Sequence, residues 1–231
     1  MFDKKLYKEI LKSDDWYLQL SDFLKEHFFE FNTNRIGKPR EWYKESEEFE
    51  QLVLDCLNES LIPLNQNKLG LDRLRNPIDT IIIHHSGRQP EEVIERGGEA
   101  LSLIRLYAKD FSDPRNRYYG KAITSDHIYN DRITFLPYHY VIWPDGKFVN
   151  YLKDEYVAWH AGGNFNLSSI AICFHSELEN DAPTDEAISA AREIISKYKD
   201  VKILGHREVS STTTCPGSRF LGVDGWKERL L

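Results

Sequence analysis

The chain has little cysteine and no long apolar run. These two absences argue against a disulfide-rich protein and against a membrane-spanning protein. Its three cysteines, Cys56, Cys173 and Cys215, are odd in number, and their spacing shows no disulfide framework. A reducing compartment is the simpler interpretation, and it leaves at least one thiol free for chemistry. No stretch is apolar enough to span a bilayer, and charges interrupt residues 1–20, where a signal peptide needs an apolar core. The sequence therefore predicts a cytoplasmic protein, and leaves open an export route that the sequence does not display.

Positive charge is also scarce. Lys and Arg total 30 against 37 Asp and Glu, which gives a formal net charge of −7 and a pI near 5.7. We therefore expect neither nucleic acid nor an anionic membrane surface as a partner. The hydrophobic fraction of 41% and the charged fraction of 29% are typical of a globular chain with a sizeable core.

The spacing of the apolar residues divides the chain into two parts. Residues 1–72 carry apolar side chains at helical spacing. The clearest stripe consists of Phe49, Leu52, Val53, Cys56 and Leu57. From Pro77 onwards, strand and helix patterns follow each other in mixed order. This predicts an α/β domain over residues 73–231, with a central mixed β-sheet flanked by helices, and an N-terminal helical extension over residues 1–72.

The predicted elements of each part are as follows. Strands are predicted at 80–85, at 138–152 as a pair around Pro144, Asp145 and Gly146, at 169–175 and at 201–206. Helices are predicted at 91–111, at 184–199 behind the N-cap Thr184, and from a cap at Ser13 or Asp14 through Leu24. Residues 112–136 are predicted to form a loop.

Two of these strands end in histidine, and a cysteine follows the second. The first strand ends at His84 and His85, the last ends at His206, and Cys215 lies in the segment TTCPG. Imidazole and thiolate are both ligands that zinc favours, and three protein ligands leave a fourth position for water, as in catalytic sites. Strand alternation places His84 and His85 on opposite faces, so one metal ion cannot easily bind both. Taken singly, each residue could also be a hydrogen-bonded or buried structural residue.

Six segments in order carry a family resemblance: IIIHHSG, PYHYVIWPDG, AWHAGG, SSIAIC, GHREV and TTCPG. Together they resemble the type 2 N-acetylmuramoyl-L-alanine amidases, a family that includes phage amidases and the peptidoglycan recognition proteins. The resemblance covers Pro77 to Phe220. It implies the amidase and peptidoglycan-recognition fold and a zinc cofactor. The implied reaction is hydrolysis of the amide bond between N-acetylmuramic acid and L-alanine in peptidoglycan or muropeptides.

The resemblance also implies roles for single residues. His84, His206 and Cys215 would be the zinc ligands, Tyr138 would lie beside the water at the metal, and Thr213 would help to stabilise the oxyanion. The spacing from His206 to Cys215 is one residue longer than in similar members. For that reason Thr212 or Thr214 could take the place of Thr213.

Other positions concern the substrate groove and the general base. His160 falls in the groove of the family, and Trp159 and Asn164 could line it, with core packing as the alternative for the tryptophan. Some members carry a glutamate base where this chain has Cys173, and Glu177 follows beyond the predicted strand. This departure favours Tyr138 for the role at the water.

Two other functions stay open at this point. Recognition proteins of this fold that lack the cysteine bind muropeptides without cutting them, so the chain could be a non-catalytic peptidoglycan-binding module, although Cys215 argues against this. The chain could also be a partner-binding protein that acts through its N-terminal helices. An enzyme of this kind without a signal peptide would reach the cell wall after lysis or through a delivery machinery, or would act on muropeptides in the cytoplasm.

Overall fold

The computed structural model describes residues 3–29, 37–65, 72–91, 98–124, 127–129, 132–134 and 137–231. The chain forms two compact units, each discontinuous in sequence. The first consists of Met1–Leu69 and Glu95–Asp126, and the second of Gly70–Ile94 and His127–Leu231. The boundary predicted near residue 72 stays a prediction. Among the described residues, no helix combines the length and the apolar character needed to cross a membrane.

The first unit is mainly helical. Its helices are α1 (Lys4–Ile10), α2 (Trp16–Gln19), α3 (Ser21–His27), α4 (Arg40–Asn58) and α5 (Gly98–Phe111). Two short strands, β1 (Leu64–Asn65) and β3 (Ile123–Thr124), pair in parallel. The helix predicted from Ser13 or Asp14 to Leu24 is divided at Leu20, whose backbone leaves the helical region, and α1 precedes it behind the N-cap Asp3.

The apolar stripe of α4 forms the centre of this unit. Phe49, Leu52, Val53 and Cys56 are buried, and Phe49 packs edge-on against the rings of Tyr7, Phe23 and Phe28. Helix α4 contacts α1, α3 and α5. The stripe is therefore covered within its own unit, by neighbours that include a helix distant in sequence.

The second unit contains the central sheet. Its strands are β2 (Thr80–His85), β6 (Tyr140–Ile142), β7 (Phe148–Asn150), β8 (Ser169–Phe174) and β9 (Lys202–Gly205). Their order is β7-β6-β8-β2-β9; the β6–β7 pair is antiparallel and the other pairs are parallel. Helices α6 (Phe165–Ser168), α7 (Asp185–Ile195) and α8 (His206–Val209) accompany the sheet, with 3-10 helices at Asp72–Leu74, Ser218–Phe220 and Trp226–Leu230. The predicted fold class, a mixed sheet with helices, is confirmed.

Alternation along β2 assigns its side chains to two faces. Ile81 and Ile83 join the core cluster that includes Ile188, Ala191 and other residues of α7. The intervening Ile82 and His84 therefore point to the opposite face. Helix α7 begins as predicted, because the Thr184 hydroxyl oxygen accepts a hydrogen bond from the Ala187 backbone N–H. This packing fixes one face of the sheet and leaves the other face for His84.

The predicted loop at 112–136 was wrong in part. It contains β3 and the antiparallel pair β4 (His127–Tyr129) and β5 (Arg132–Thr134). Strands of two or three residues are too short to produce a recognisable alternation of apolar and polar residues, so they cannot be predicted from the sequence. Of the helix predicted at 91–111, the structure describes α5, and residues 92–97 lie outside the described residues.

Candidate metal centre

The candidate centre lies at the carboxyl ends of two neighbouring parallel strands. Ile83 of β2 is paired with Gly205, the last residue of β9, so the residues that follow this pair, His84 in β2 and His206 at the start of α8, lie side by side. The strand predicted at 201–206 therefore ends one residue before the histidine. Their ring centroids are 4.7 Å apart. The backbone N–H of Arg207 donates to the carbonyl oxygen of Cys215 at 2.7 Å, which returns the loop after α8 to the strand ends. The topology thus brings together three residues that are far apart in sequence.

The donor atoms of this cluster suit a zinc ion. The ligand atoms of His84, His206 and Cys215 all lie within 4.8 Å of one another. A tetrahedral centre with zinc–nitrogen and zinc–sulfur bonds of usual length separates its ligand atoms by about 3.5 Å. The distance from His84 Nδ1 to Cys215 Sγ is 3.8 Å, close to that value. Two imidazoles and one thiol therefore fit the ion in type, number and spacing.

Burial controls the protonation of the three groups. It lowers the pKa of His84 well below the usual value, with smaller contributions from His206 and His85, and it lowers the pKa of His206 as well. Both imidazoles are therefore neutral near pH 7, the form that binds metals. Burial raises the pKa of the Cys215 thiol to about 11, although the His85 backbone N–H donates to Sγ at 3.4 Å and opposes this. A metal ion would have to displace the proton of this thiol.

Behind His84, a chain of hydrogen bonds leads into the protein. His84 Nε2 lies 2.9 Å from His160 Nδ1, and His160 Nε2 lies 3.0 Å from the hydroxyl oxygen of Ser169. The Ser169 hydroxyl donates to the carbonyl oxygen of Phe165 at 2.5 Å. His84, His160 and Ser169 are all buried. Both ring nitrogens of His160 are engaged by protein groups.

A buried asparagine holds the loop that carries His160. The Asn166 side-chain oxygen accepts hydrogen bonds from the backbone N–H groups of His160, Ala161 and Gly162, at 3.3, 2.9 and 3.1 Å. The segment WHAGG is thereby fixed over the sheet face on which His84 lies. Sequence reasoning assigned no role to Asn166 or Ser169. These two residues stand out because they are polar and buried, and their burial is known only from the structure.

Tyr138 and Cys173 lie on the His84 side of the sheet. The Tyr138 ring centroid is 5.2 Å from that of His84. Cys173 is paired with His84 across β8 and β2, and is buried with Val141 and Tyr151. Glu177 lies beyond the end of β8, and its carboxylate is 3.7 Å from Nδ1 of His85. That nitrogen also accepts a hydrogen bond from the Leu178 backbone N–H, so the imidazole ring of His85 is engaged away from the cluster.

The three threonines before Cys215 have different surroundings. Thr213 is half-buried, and its hydroxyl oxygen accepts a hydrogen bond from the Cys215 backbone N–H at 3.1 Å. Thr212 is exposed and bonded to Ser210, whereas Thr214 is exposed and donates to Glu179 at 2.8 Å. Of the three, Thr213 is the one whose side chain forms a hydrogen bond with the cysteine backbone. Its proposed role at the oxyanion stays a prediction.

The residues predicted for the substrate groove differ in exposure. Trp159 is half-buried and Asn164 is exposed just before α6, so both have surface available for contact. His160 is buried, with its ring nitrogens bonded as described above. The substrate-binding roles of these three residues stay predictions.

One family model matches more than half of the chain. A family model described as N-acetylmuramoyl-L-alanine amidase matches residues 74–218. The peptidoglycan-recognition proteins SD of Drosophila simulans and Drosophila melanogaster are each 32% identical over 104 residues, which is 40% of this chain and 55% of theirs. The chain thus spans about half the length of these curated relatives. Among solved structures, the endolysin N-acetylmuramoyl-L-alanine amidase LysCS from Clostridium intestinale is 18% identical with a TM-score of 0.43, over 66% of this chain and 82% of that one.

Proposed function

Because the chain belongs to the N-acetylmuramoyl-L-alanine amidase family, we propose that it is a zinc-dependent amidase. Its proposed substrate is the amide bond between the lactyl group of N-acetylmuramic acid and L-alanine, in peptidoglycan or in soluble muropeptides. The observation that carries the proposal is the convergence of His84, His206 and Cys215, whose ligand atoms lie within 4.8 Å of one another. Three such ligands leave one coordination position for the reaction.

The chain's own residues would divide the work as follows. His84 and His206 would offer neutral imidazole nitrogens, and Cys215 a thiolate, to one zinc ion. When bound, the ion would polarise the scissile carbonyl and make water at the site more acidic. Tyr138, whose ring lies against His84, would orient the attacking water or donate its hydroxyl proton to the oxygen that gains negative charge.

Thr213 would act at the same oxygen. Its hydroxyl oxygen accepts from the Cys215 N–H, which leaves the hydroxyl proton for donation to the oxyanion. A single preorganised donor of this kind contributes about 2.7–4 kcal/mol to the stabilisation of a transition state. Trp159 and Asn164 would contact the sugar or the stem peptide from the partly exposed segment near His160.

A recognition protein without catalysis is the second candidate, because the curated relatives carry that name. Such a protein would need the groove but no metal. The family resemblance connects the cysteine with cutting, so the presence of Cys215 favours the enzyme. A protein partner for the N-terminal helices and a cytoplasmic location remain proposals based on the sequence.

Metal content and products test the proposal together. We expect the purified protein to hold close to one zinc ion per chain and to release the peptide from sacculi, from soluble muropeptides, or from both, as measured by mass spectrometry. Cys215→Ser should lose most of the zinc or the activity, because its hydroxyl is a much poorer zinc ligand than a thiolate. Cys56→Ala, which removes a buried thiol of the first unit, is the control and should keep both.

The outcomes separate the two candidates. Binding of muropeptides without any cleavage, in protein that carries zinc, would favour the recognition module. Full hydrolytic activity in protein freed of metal would contradict the zinc mechanism.

A further inference from the structure

The hydrogen bonds that lead from His84 through His160 and Ser169 have one direction, because they end at the Phe165 carbonyl oxygen, an atom that can only accept. The Phe165 carbonyl oxygen has no proton, so the Ser169 hydroxyl must donate its single proton to it across 2.5 Å. The Ser169 oxygen can then only accept from His160 Nε2, which must carry a ring proton. The direction of donation in this series of hydrogen bonds is thus determined at its inner end, at Phe165.

The same direction of donation continues to the candidate metal centre. A neutral imidazole carries one ring proton, and burial favours the neutral form of both histidines. With that proton on Nε2, His160 Nδ1 is an acceptor, and His84 Nε2 must donate to it across 2.9 Å. The lone pair of His84 is then on Nδ1, the nitrogen that lies 3.8 Å from Cys215 Sγ.

We propose that His160 and Ser169 are positioning residues, which hold the ring proton of His84 on Nε2 and thereby keep Nδ1 free to bind the metal ion. This inference rests on the proposed function and deepens it. It gives His160 a role through His84 rather than through the substrate. It also gives Asn166 a purpose, since its three backbone hydrogen bonds fix the loop from which His160 reaches His84.

The opposite arrangement conflicts with the geometry. A proton on His84 Nδ1 would point at the cysteine and would make His84 Nε2 an acceptor. His160 would then donate from Nδ1 and accept at Nε2, and the Ser169 proton would have to turn towards His160. Two oxygens, those of Ser169 and Phe165, would face each other at 2.5 Å with no proton between them.

The first unit supplies a matched control. Ser46 is also buried, its hydroxyl also donates to the carbonyl four residues earlier, that of Trp42, and its oxygen also lies 3.0 Å from a histidine ring nitrogen, that of His27. None of these residues belongs to the metal cluster. Ser46→Ala therefore removes the same kind of contact without touching the proposed ligands, and Ser169→Ala removes the contact that the inference requires.

Two measurements on the full-length protein test the inference. In zinc-free wild-type protein, nitrogen-15 NMR of the histidine rings should find the His84 proton on Nε2. In competition with a chelator, Ser169→Ala should bind zinc about 10- to 100-fold more weakly than the wild type, the usual effect of removing a group that orients a ligand. Ser46→Ala should stay within about threefold.

Each adverse outcome has one meaning. A His84 proton on Nδ1 in the wild type, unchanged zinc affinity in Ser169→Ala, or an equal loss in Ser46→Ala would overturn the positioning role. A wild-type protein that binds no zinc would overturn the proposed function. The NMR result would still decide which ring nitrogen of His84 carries the proton. A variant that does not fold leaves the wild-type NMR measurement as the deciding test.

Discussion

The hydroxyl of Tyr138 is the group whose removal should affect turnover most selectively. Its ring lies against His84 but it is not among the three proposed ligands. We expect Tyr138→Phe to lower the turnover number about 10²- to 10³-fold, because one donor to the oxyanion is lost while the metal ligands stay in place. Zinc content of the variant, measured on the same preparation, should remain close to that of the wild type.

Glu177 provides the comparison for that prediction. It lies beyond the end of β8, and its carboxylate accepts a hydrogen bond from the Glu179 backbone N–H. Glu177→Gln should therefore change the turnover number by less than about threefold, a minor energetic effect for a surface substitution. If Glu177→Gln were inactive and Tyr138→Phe fully active, the role beside the attacking water would have to be reassigned from the tyrosine to the glutamate.

Among single residues, the sequence predicts the proposed metal ligands better than the residues that position them. His84 and His206 can be identified because they end predicted strands, and Cys215 because of its segment. Ser169 cannot, because a serine at the start of a strand is common, and its role depends on the direction of a hydrogen bond to Phe165. That direction is a property of the folded chain.

His27 of α3 packs against α4, and this contact should make the free energy of unfolding depend on pH. The His27 ring stacks on Phe23 at 4.5 Å and on Trp42 at 4.9 Å. Burial lowers its pKa from the ordinary 6.5, although the nearby Glu26 and Glu45 oppose this. Its contribution is therefore present above pH 6.5 and is lost as the pH falls, since the unfolded chain takes up the proton first.

The expected slope for this one histidine is at most about 1.4 kcal/mol per pH unit. Urea unfolding of zinc-free protein at pH 7.5 and 5.5 measures it, and His27→Gln should show a smaller loss than the wild type between the two. The other buried histidines contribute equally to both proteins, so they cancel in this comparison. An identical loss in both would mean that His27 does not titrate differently on folding.

The loop that carries Cys215 should be sensitive to a methyl group at Gly217. This residue has a φ of 119°, and a Cβ there would lie 1.9 Å from the Leu178 carbonyl oxygen. We expect Gly217→Ala to lower the free energy of unfolding by more than about 1 kcal/mol and to weaken zinc binding, because the loop must move. Thermal unfolding and zinc competition measure the two effects.

Gly222 is the control for that substitution. Its φ is 113°, nearly the same, but a Cβ there would meet no atom within 4 Å. Gly222→Ala should therefore show the backbone strain without the steric clash, and should leave zinc affinity unchanged. An equal loss of zinc affinity in both variants would show that the clash with Leu178 is not the cause.

Elements with strong periodicity can be predicted, and short ones cannot. The strand at 80–85 and the start of α7 at Thr184 follow from β-branched residues and from capping chemistry. The pair β4 and β5 has only three residues in each strand, and the sequence pattern predicts a loop there. Pairing with a neighbour, rather than local preference, stabilises such short strands.

At the scale of the whole molecule, the unexpected finding is that α5 belongs to the same compact unit as the N-terminal helices. In this unit Arg105 of α5 is buried, forms an ion pair with Glu50 of α4 and lies 4.7 Å from the centroid of the Phe28 ring. Sequence periodicity identifies the apolar faces of α4 and α5 separately. It does not indicate that they meet, because no local pattern connects residues such as Glu50 and Arg105, which are 55 positions apart.

This arrangement predicts what happens when the chain starts at Asn76. The shortened protein lacks α1 to α4, so Arg105 loses Glu50 and Phe28, and the buried side chains Leu101, Ile104 and Ala108 of α5 lose the helix α4 that α5 contacts. A buried charge without its partner and an uncovered apolar face are both unfavourable. We expect poor solubility, increased binding of a hydrophobic dye and a lower melting temperature. If instead the N-terminal helices served only to bind a partner, the shortened protein would keep its melting temperature, its zinc and its turnover on soluble muropeptides.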